Sequence, residues 1–315
     1  MSLKTKLCDI LEIESPIIQG GMAWVATGEL AAAVSQAGGL GVIGAGNAPA
    51  DVIEKEIEKV KSLTDKNFGL NIMLLSPFAD DIIELAIEKK VPVITTGAGN
   101  PGKHVKRFQE MGSKVIPVVP SVALAKRMQR LDVDAVIVEG TEAGGHIGEL
   151  TTMALVPQVA DAVDIPVIAA GGIGDGRTLA AVLALGAAGA QIGTRFVCST
   201  ECTAAKEYKE AIINARDRDA VVTGRSTGHP VRNLKNSLTR RLDKLEQEGV
   251  DPKKIEELGT GKLRDAVVDG DIKEGSVMAG QIAGMISEIK DVKEIMDDII
   301  RDAESVIKKN FSLIK

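Results

Sequence analysis

The stretch PVIAAGGIGDG (166–176) passes from an apolar, β-branched run through glycines to Asp175, a residue type that often precedes a helix. A strand, a short loop and a helix in this order form one unit of a parallel sheet, because parallel strands need a long crossover connection. Seven other apolar runs are each followed by a helical segment, at intervals of about 20–30 residues. These runs are PIIQG (16–20), LGVIG (40–44), FGLNIMLL (68–75), VPVITTGAG (91–99), KVIPVVP (114–120), AVIVEG (135–140) and GAQIGTRF (189–196).

Eight such units predict an α/β chain folded as a closed (β/α)8 TIM barrel. An open sheet is less consistent with the pattern, because its helices would have to be sorted onto two faces. Beyond about residue 200 the repeat stops, and the chain becomes more charged and more helical. We therefore predict a barrel over residues 1–200, a mainly helical cap subdomain over 201–290 and a closing helix over 291–315 that packs on the barrel.

The composition excludes several classes of protein. Hydrophobic residues make up 44% of the 315 residues and aromatic residues only 2%, which predicts a large aliphatic core. A formal net charge of −6 argues against a general nucleic-acid binder. No apolar run approaches the roughly 18 residues of a membrane span, and the N-terminus does not resemble a signal peptide. Three scattered cysteines indicate reduced thiols in a cytoplasmic protein, and we expect no metal at Cys198 and Cys202.

Glycine and polar residues occur where the predicted strands end, which is the face that carries the active site in barrels of this kind. The loops after the seventh and eighth strands, at 171–174 and 193–194, lie where such barrels usually bind phosphate. Backbone N–H groups and a helix N-terminus hold the anion there. The alternative is a pair of tight turns, and we favour phosphate. The rim residues are Gln19-Gly20-Gly21, Asn71, Thr95-Thr96-Gly97, Ser121, Glu139, Gly171-Gly172 and Gly193-Thr194.

The loop after the sixth strand, EAGGHIG (142–148), places His146 among glycines that leave room for a flat ligand. We interpret His146 as a functional residue; the alternative is a histidine that binds a carbonyl for structural reasons. His104 is predicted to be a solvated surface residue, and His229 lies either at the site or away from it. The sequence GAGNPG (97–102) matches a dinucleotide motif, but the next strand ends without the acidic ribose ligand, at Val119-Pro120-Ser121. GLGVIG (39–44) lies within a strand, so neither match predicts a dinucleotide fold.

Eight stretches together resemble the flavin-dependent enoyl-[acyl-carrier-protein] reductase II, within the nitronate monooxygenase (2-nitropropane dioxygenase-like) family. The resemblance extends from about residue 5 to residue 300. The stretches are PIIQGGMAW (16–24), FGLNIMLLSPF (68–78), TTGAGNP (95–101), VIPVVPSVALAKRM (115–128), VEGTEAGGHIGELTT (138–152), PVIAAGGIGDG (166–176), QIGTRF (191–196) and GSVMAGQIAG (275–284).

The resemblance implies an FMN-containing oxidoreductase, usually a homodimer, that reduces the trans-2 double bond of an enoyl-[acyl-carrier-protein] with NADH or NADPH. It aligns His146 with the family's active-site histidine, which would stabilise negative charge on the thioester oxygen as hydride reaches the β-carbon. In a nitronate monooxygenase, the alternative, the same histidine would hold or deprotonate a nitro compound, with oxygen as acceptor. By motif position the expected cofactor residues are Gly21, Met22, Ala23, Asn71, Glu139, Gly145 and Gln191, with Gly171, Gly172, Gly193 and Thr194 at the phosphate.

The cap segment HPVRNLKNSLTRRLDK (229–244) predicts an amphipathic helix. Its apolar stripe comprises Leu234, Leu238, Leu242 and Leu245, at spacings of four, four and three. The basic residues outside that stripe predict a surface that attracts an acidic acyl carrier protein, although a solvated helix face would show the same pattern. The predicted basic patch comprises Arg232, Lys235, Arg240, Arg241 and Lys244.

Overall fold

The computed structural model of the chain describes residues 3–311. Residues 1–2 of the predicted barrel and 312–315 of the predicted closing helix lie outside the described residues. The strands are β1 (Ile17–Gln19), β2 (Gly41–Gly44), β3 (Phe68–Met73), β4 (Val93–Gly97), β5 (Lys114–Val119), β6 (Val136–Glu139), β7 (Gly145–His146), β8 (Val167–Ala170), β9 (Gly189–Ile192), β10 (Ala220–Thr223) and β11 (Val231–Leu234).

The helices surround the sheet or follow it in the chain. They are α1 (Lys6–Leu11), α2 (Gly28–Gln36), α3 (Ala50–Leu63), α4 (Ala79–Glu88), α5 (Gly102–Glu110), α6 (Val122–Gln129), α7 (Thr152–Ala160), α8 (Gly176–Ala184), α9 (Thr194–Val197), α10 (Lys206–Ile213), α11 (Ser237–Gln247), α12 (Pro252–Gly259), α13 (Lys262–Val268) and α14 (Val292–Phe311), with 3-10 turns at Arg225–Thr227 and Gln281–Met285. None of the helices in this part of the chain is both long and apolar enough to cross a membrane.

Eight parallel strands form the sheet, in the order β1-β9-β8-β6-β5-β4-β3-β2. A bridge between Ile18 and Leu40 joins its two ends, so the sheet closes into the predicted (β/α)8 barrel. At this seam the side chain of Gln19 makes hydrogen bonds that the backbone of a neighbouring strand would otherwise make. Its amide donates to the carbonyl of Val42 at 3.1 Å, and its carbonyl accepts from the N–H of Val42 at 3.2 Å.

The core is aliphatic, as the composition predicts. Strand residues such as Ile43, Leu70 and Ile94 are fully buried against the surrounding helices. The closing helix α14 packs on α8, and a β-carbon on Gly176 would lie only 2.3 Å from the backbone nitrogen of Ala303. This close approach is possible because glycine has no side chain. The proposed domain bounds at residues 200 and 290 stay a prediction.

The cap is mainly helical, and it also contains a small antiparallel sheet that the sequence analysis did not predict. In this sheet β11 lies between β10 and β7. The prediction of one helix from residue 229 is wrong in its first part. Leu234 ends β11, and α11 begins only at Ser237, after Asn236, whose side chain caps the helix by accepting from Thr239. Arg232 therefore lies in a strand, where it is buried.

Two further local predictions are wrong. The strand predicted over 189–196 ends at Ile192, because Gly193 turns the chain into the short helix α9. His104 is not a solvated residue but is buried on α5 beside Phe108, one helical turn away. Burial lowers the pKa of His104, and among the described residues nothing hydrogen-bonds to its Nδ1. His104 is therefore held neutral inside the fold.

Candidate active site

Residues from the predicted rim meet at the C-terminal ends of the barrel strands. A β-carbon on Gly21 would lie 2.2 Å from Cβ of Asn71, so only glycine lets the loop after β1 pass this asparagine. Asn71 donates to Oγ1 of Thr95 at 2.9 Å, which fixes its amide across the β3–β4 pair. A β-carbon on Gly193 would lie 3.2 Å from the sulfur of Met22, so the loop after β9 reaches the same place.

Gln191 and Ala23 flank this group. A β-carbon on Gly20 would lie 3.2 Å from Cγ of Gln191, and one on Gly46 would lie 2.5 Å from Cβ of Ala23. Both Gln191 and Ala23 are half-buried. The structure thus brings Gly21, Met22, Ala23, Asn71, Gln191 and Gly193 to one end of the barrel, while their contact with a cofactor stays a prediction.

Two neighbouring loops present free backbone N–H groups at this end of the barrel. Strands β8 and β9 are adjacent, so the loops that follow them lie side by side. Gly171 and Gly172 have φ of +85° and +74°, a left-handed conformation that favours glycine. Successive N–H groups in such turns form concave sites that bind anions. Among residues 3–311, no acceptor pairs with the backbone N–H groups of Gly172, Ile173, Gly193 and Thr194.

The N-terminus of α8 does not contribute to this set. Asp175 accepts from the N–H groups of Arg177 at 3.0 Å and Thr178 at 3.1 Å, and it also pairs with the guanidinium of Arg177. Because a carboxylate already caps the helix, a second anion there would be repelled. The expected part of this helix N-terminus in holding a phosphate stays a prediction, and the loop N–H groups are the donors that no carboxylate occupies.

The loop that carries His146 is part of the cap sheet. Gly145 pairs with Arg232 and His146 with Val231 in the antiparallel β7–β11 ladder. One residue further on, the N–H of Ile147 donates to the carbonyl of Pro230 at 3.1 Å. The cap therefore fixes the backbone on which the candidate catalytic residue sits.

Glycines bring the same loop against the phosphate-type loop after β9. A β-carbon on Gly144 would lie 2.7 Å from the nitrogen of Gly280, and that nitrogen donates to Oγ1 of Thr194 at 2.9 Å. A β-carbon on Gly145 would lie 3.5 Å from the sulfur of Met278. The segment 278–280 thus bridges the His146 loop and Thr194.

A second link joins the His146 loop to the loop after β8. The carboxylate of Glu142 accepts from the N–H of Thr152 at 2.9 and 3.0 Å, which caps the start of α7. The hydroxyl of Thr152 lies 2.9 Å from the carbonyl oxygen of Gly171, within hydrogen-bond distance. Glu142 and Thr152 were not among the predicted site residues, although both lie in the stretch 138–152 that carries the resemblance.

Two ionisable side chains of the site have shifted pKa values. His146 is exposed at the rim, yet the surrounding protein desolvates it and lowers its pKa, and nearby His229 lowers it further. His146 is therefore neutral at pH 7 and can donate one N–H. Glu139 ends β6 with part of its surface accessible, and burial by the barrel raises its pKa to about 7. Within the described chain, no hydrogen bond reaches the side chain of either residue.

The remaining candidates are accounted for as follows. His229 is exposed in the turn before β11, two residues before the Val231 that pairs with His146, and its charge lowers the pKa of His146. Cys198 and Cys202 are free, buried thiols, and burial raises the pKa of each. Between residues 3 and 311, no three histidine, cysteine or acidic side chains cluster so as to hold a metal.

The chain is similar to known proteins over nearly its whole length. The sequence model of the nitronate monooxygenase family matches residues 4–302. The solved structure of FabK from Thermotoga maritima superposes with a TM-score of 0.97 at 52% identity, covering 99% of this chain and 100% of that one.

Two curated relatives are each 33% identical. One is the (3aS,4S,5R,7aS)-5-hydroxy-7a-methyl-1-oxo-octahydro-1H-indene-4-carboxyl-CoA dehydrogenase of Mycobacterium tuberculosis, with 100% of both chains covered. The other is a probable nitronate monooxygenase of Staphylococcus saprophyticus, with 98% of this chain and 100% of the relative covered. The chain belongs to the nitronate monooxygenase family, whose members, like FabK, are flavin oxidoreductases.

Proposed function

We propose that this chain is an FMN-dependent reductase of the trans-2 double bond of enoyl-[acyl-carrier-protein], with NADH or NADPH as reductant, in fatty acid synthesis. The observation that carries the proposal is the full-length similarity to FabK at 52% identity. FabK is the enoyl-[acyl-carrier-protein] reductase II that the sequence stretches resemble. The relative named as a carboxyl-CoA dehydrogenase adds a second family member whose name contains an acyl thioester.

The residues of the barrel mouth fit FMN. The free N–H groups of the loops after β8 and β9 suit a monophosphate, and the loop after β1 packs on Asn71 without side-chain bulk at Gly21. Of the two sequence matches to a dinucleotide motif, GAGNPG (97–102) lacks the acidic residue needed to hold an adenine ribose, and GLGVIG (39–44) lies within a strand. These features support FMN over FAD. We also infer that Glu139, Gly145, Gln191, Gly193 and Thr194 contact it.

The flavin, when bound, supplies hydride transfer. The chain's own contribution is to place a hydrogen-bond donor where charge develops. His146 is neutral at pH 7, so it offers an N–H to the thioester oxygen, which becomes negative as hydride reaches the β-carbon. Removal of one such donor typically costs on the order of 10²–10³ in rate.

Anaerobic turnover tests the proposal. The FMN-loaded protein is mixed with NADH and crotonyl thioester, and the visible absorbance of the flavin is followed until it reoxidises. A parallel assay supplies an alkyl nitronate and oxygen. We expect faster turnover with the enoyl substrate than with the nitronate. We also expect that heating the protein releases its cofactor and that the mass of the released cofactor identifies it as FMN.

The second candidate, nitronate monooxygenase, is favoured by the matching family model and by the curated relative of that name. Much faster turnover with nitronate than with any enoyl thioester would select it and reject the reductase. The homodimer, the acyl carrier protein as partner and the cytoplasmic location stay predictions from the resemblance.

A further inference from the structure

The guanidinium of Arg232 is buried between the cap and the base of the His146 loop. Arg232 is only 5% exposed. Its Nε and Nη2 donate to the carbonyl of Thr141 at 3.1 and 2.9 Å, and its Nη1 donates to the carbonyl of Ala220 at 3.3 Å. One side chain therefore bonds to the loop after β6 and to cap strand β10.

Thr141 is the point at which the His146 loop closes on itself. The N–H of Thr141 donates to the carbonyl of Leu150 at 2.7 Å, so residues 141–150 form a loop whose two ends are joined. The backbone of Arg232 pairs with Gly145 near the middle of this loop. Arg232 thus contacts the loop twice, through its side chain at the base and through its main chain beside His146.

The buried charge is informative because it is expensive to desolvate. No ion pair with a carboxylate compensates Arg232 within the described residues, although the charge of Glu142 favours it from a distance. Two carbonyl oxygens can be satisfied by neutral donors, so they do not by themselves explain a buried cation. The shape of the side chain explains it better, because a planar guanidinium spans two carbonyls in a fixed geometry that the single ammonium of a lysine cannot reproduce.

We propose that Arg232 is a positioning residue that fixes the 141–150 loop, and through it the imidazole of His146, relative to the rest of the site. The inference rests on the proposed function, since it concerns the enoyl-reduction step that His146 serves. In this proposal Arg232 acts through His146 and not by its own contact with the reacting atoms. Its effect on the rate must therefore disappear when His146 is absent.

A double-mutant cycle tests this dependence. Arg232→Lys, His146→Ala and the double variant are loaded with FMN, and the enoyl-reduction step is measured separately from flavin reduction by NADH. We expect Arg232→Lys to slow enoyl reduction by roughly 10- to 100-fold, as for a small misplacement of a catalytic group. In the His146→Ala background the same change should have almost no further effect. An equal loss in both backgrounds would overturn the proposal.

Arg225→Lys is the matched control. Arg225 also links the cap to this loop, through Glu149 at 3.4 Å, but its side chain is 58% exposed, so we expect little effect. Hydrogen–deuterium exchange gives a readout that does not depend on activity. Arg232→Lys should speed exchange within 141–150 and leave 171–174 unchanged.

The two hypotheses fail in different ways. If His146→Ala leaves enoyl reduction intact, the role of His146 in the proposed function is wrong, and the exchange data alone decide the positioning. Unchanged exchange in 141–150 would then refute the role of Arg232, and faster exchange confined to that loop would support it.

Discussion

At the scale of single residues, the raised pKa of Glu139 leads to a direct test of the site. It ends β6, and its neighbour across the sheet is Ala170, just before the glycine loop. Burial raises the pKa of Glu139 to about 7 from an ordinary value of 4.5. The neutral acid is thus the form that the fold favours, and below pH 7 it can donate a hydrogen bond into the mouth of the barrel.

This shift predicts how stability depends on pH. A carboxyl group whose pKa is raised by folding contributes stability that is complete below about pH 4.5 and is lost as pH rises through about 7. Glu139→Gln removes the ionisable group, so the stability of the flavin-free variant relative to the wild type should rise between about pH 4.5 and about pH 7 and level off above that range. The difference in the free energy of unfolding, measured in urea, should grow by at most about 3 kcal/mol.

The control for this prediction is Glu110→Gln, which changes an exposed glutamate on the outer wall. The difference in the free energy of unfolding between Glu110→Gln and the wild type should not change over the same pH range. A flat difference for Glu139→Gln as well would show that Glu139 is ionised without cost in the fold.

Residue types at the rim were readable from the sequence, but burial often was not. His104 and Arg232 both lie in charged stretches, which suggested solvated residues. The spacing of His104 and Phe108, one helical turn apart, was the available signal that this histidine faces inward. Arg232 gave no such signal, because its partners are backbone carbonyls from residues far along the chain.

At the scale of elements, the barrel was predictable because its strands are short, largely apolar runs at regular intervals, each followed by a helical segment. The small cap sheet was not predictable in the same way. Its strands β10 and β11 have four residues each and β7 has two, too few for an alternating pattern to emerge. A capping signal was present: Asn236 and Thr239 form a capping box that marks the true start of α11.

The seam between β1 and β2 leads to a prediction about an element. Gln19 was predicted as a rim residue, but it is fully buried. Its side-chain amide donates to the carbonyl of Val42 and accepts from the N–H of Val42. Gln19→Met fills a similar volume but leaves the N–H and C=O of Val42 unpaired. We expect a loss of about 2–4 kcal/mol in the free energy of unfolding, measured by urea denaturation.

Gln36→Met is the matched control for the seam. Gln36 is an exposed glutamine whose amide donates to the carbonyl of Leu63, so its replacement should change stability by less than about 0.5 kcal/mol. If the two variants behave alike, the seam closes through strand pairing alone, and the side chain of Gln19 is dispensable there.

At the scale of the whole molecule, the basic patch on the cap is smaller in the structure than the sequence predicted. Arg232 is buried, Arg241 pairs with Glu274 at 3.0 Å, and Lys244 lies 3.7 Å from Glu248. Arg240 and Lys235 remain exposed, without an ion pair in the described part of the chain. A positive surface at the cap is therefore present but smaller than predicted.

Reversal of the remaining charge tests whether this surface attracts an acidic carrier protein. Arg240→Glu should raise the KM for an enoyl-[acyl-carrier-protein] by roughly two- to fivefold, as for loss of an exposed charge pair. The KM for an uncharged N-acetylcysteamine thioester should not change, because that substrate has no acidic surface to attract. Added salt should weaken the wild-type reaction with the carrier protein and affect the variant less, since the Debye length is only about 10 Å at 0.1 M.

Arg127→Glu is the control that makes this last test specific. Arg127 is exposed on α6, on the wall of the barrel, and its reversal changes the net charge of the chain by the same amount. If both variants raise the KM for the carrier protein equally, the effect comes from net charge and the cap is not the docking surface. If Arg240→Glu also raises the KM for the N-acetylcysteamine thioester, Arg240 supports the structure of the cap. Only a loss confined to Arg240 and to the carrier-bound substrate places the partner on α11, beside the sheet that holds His146.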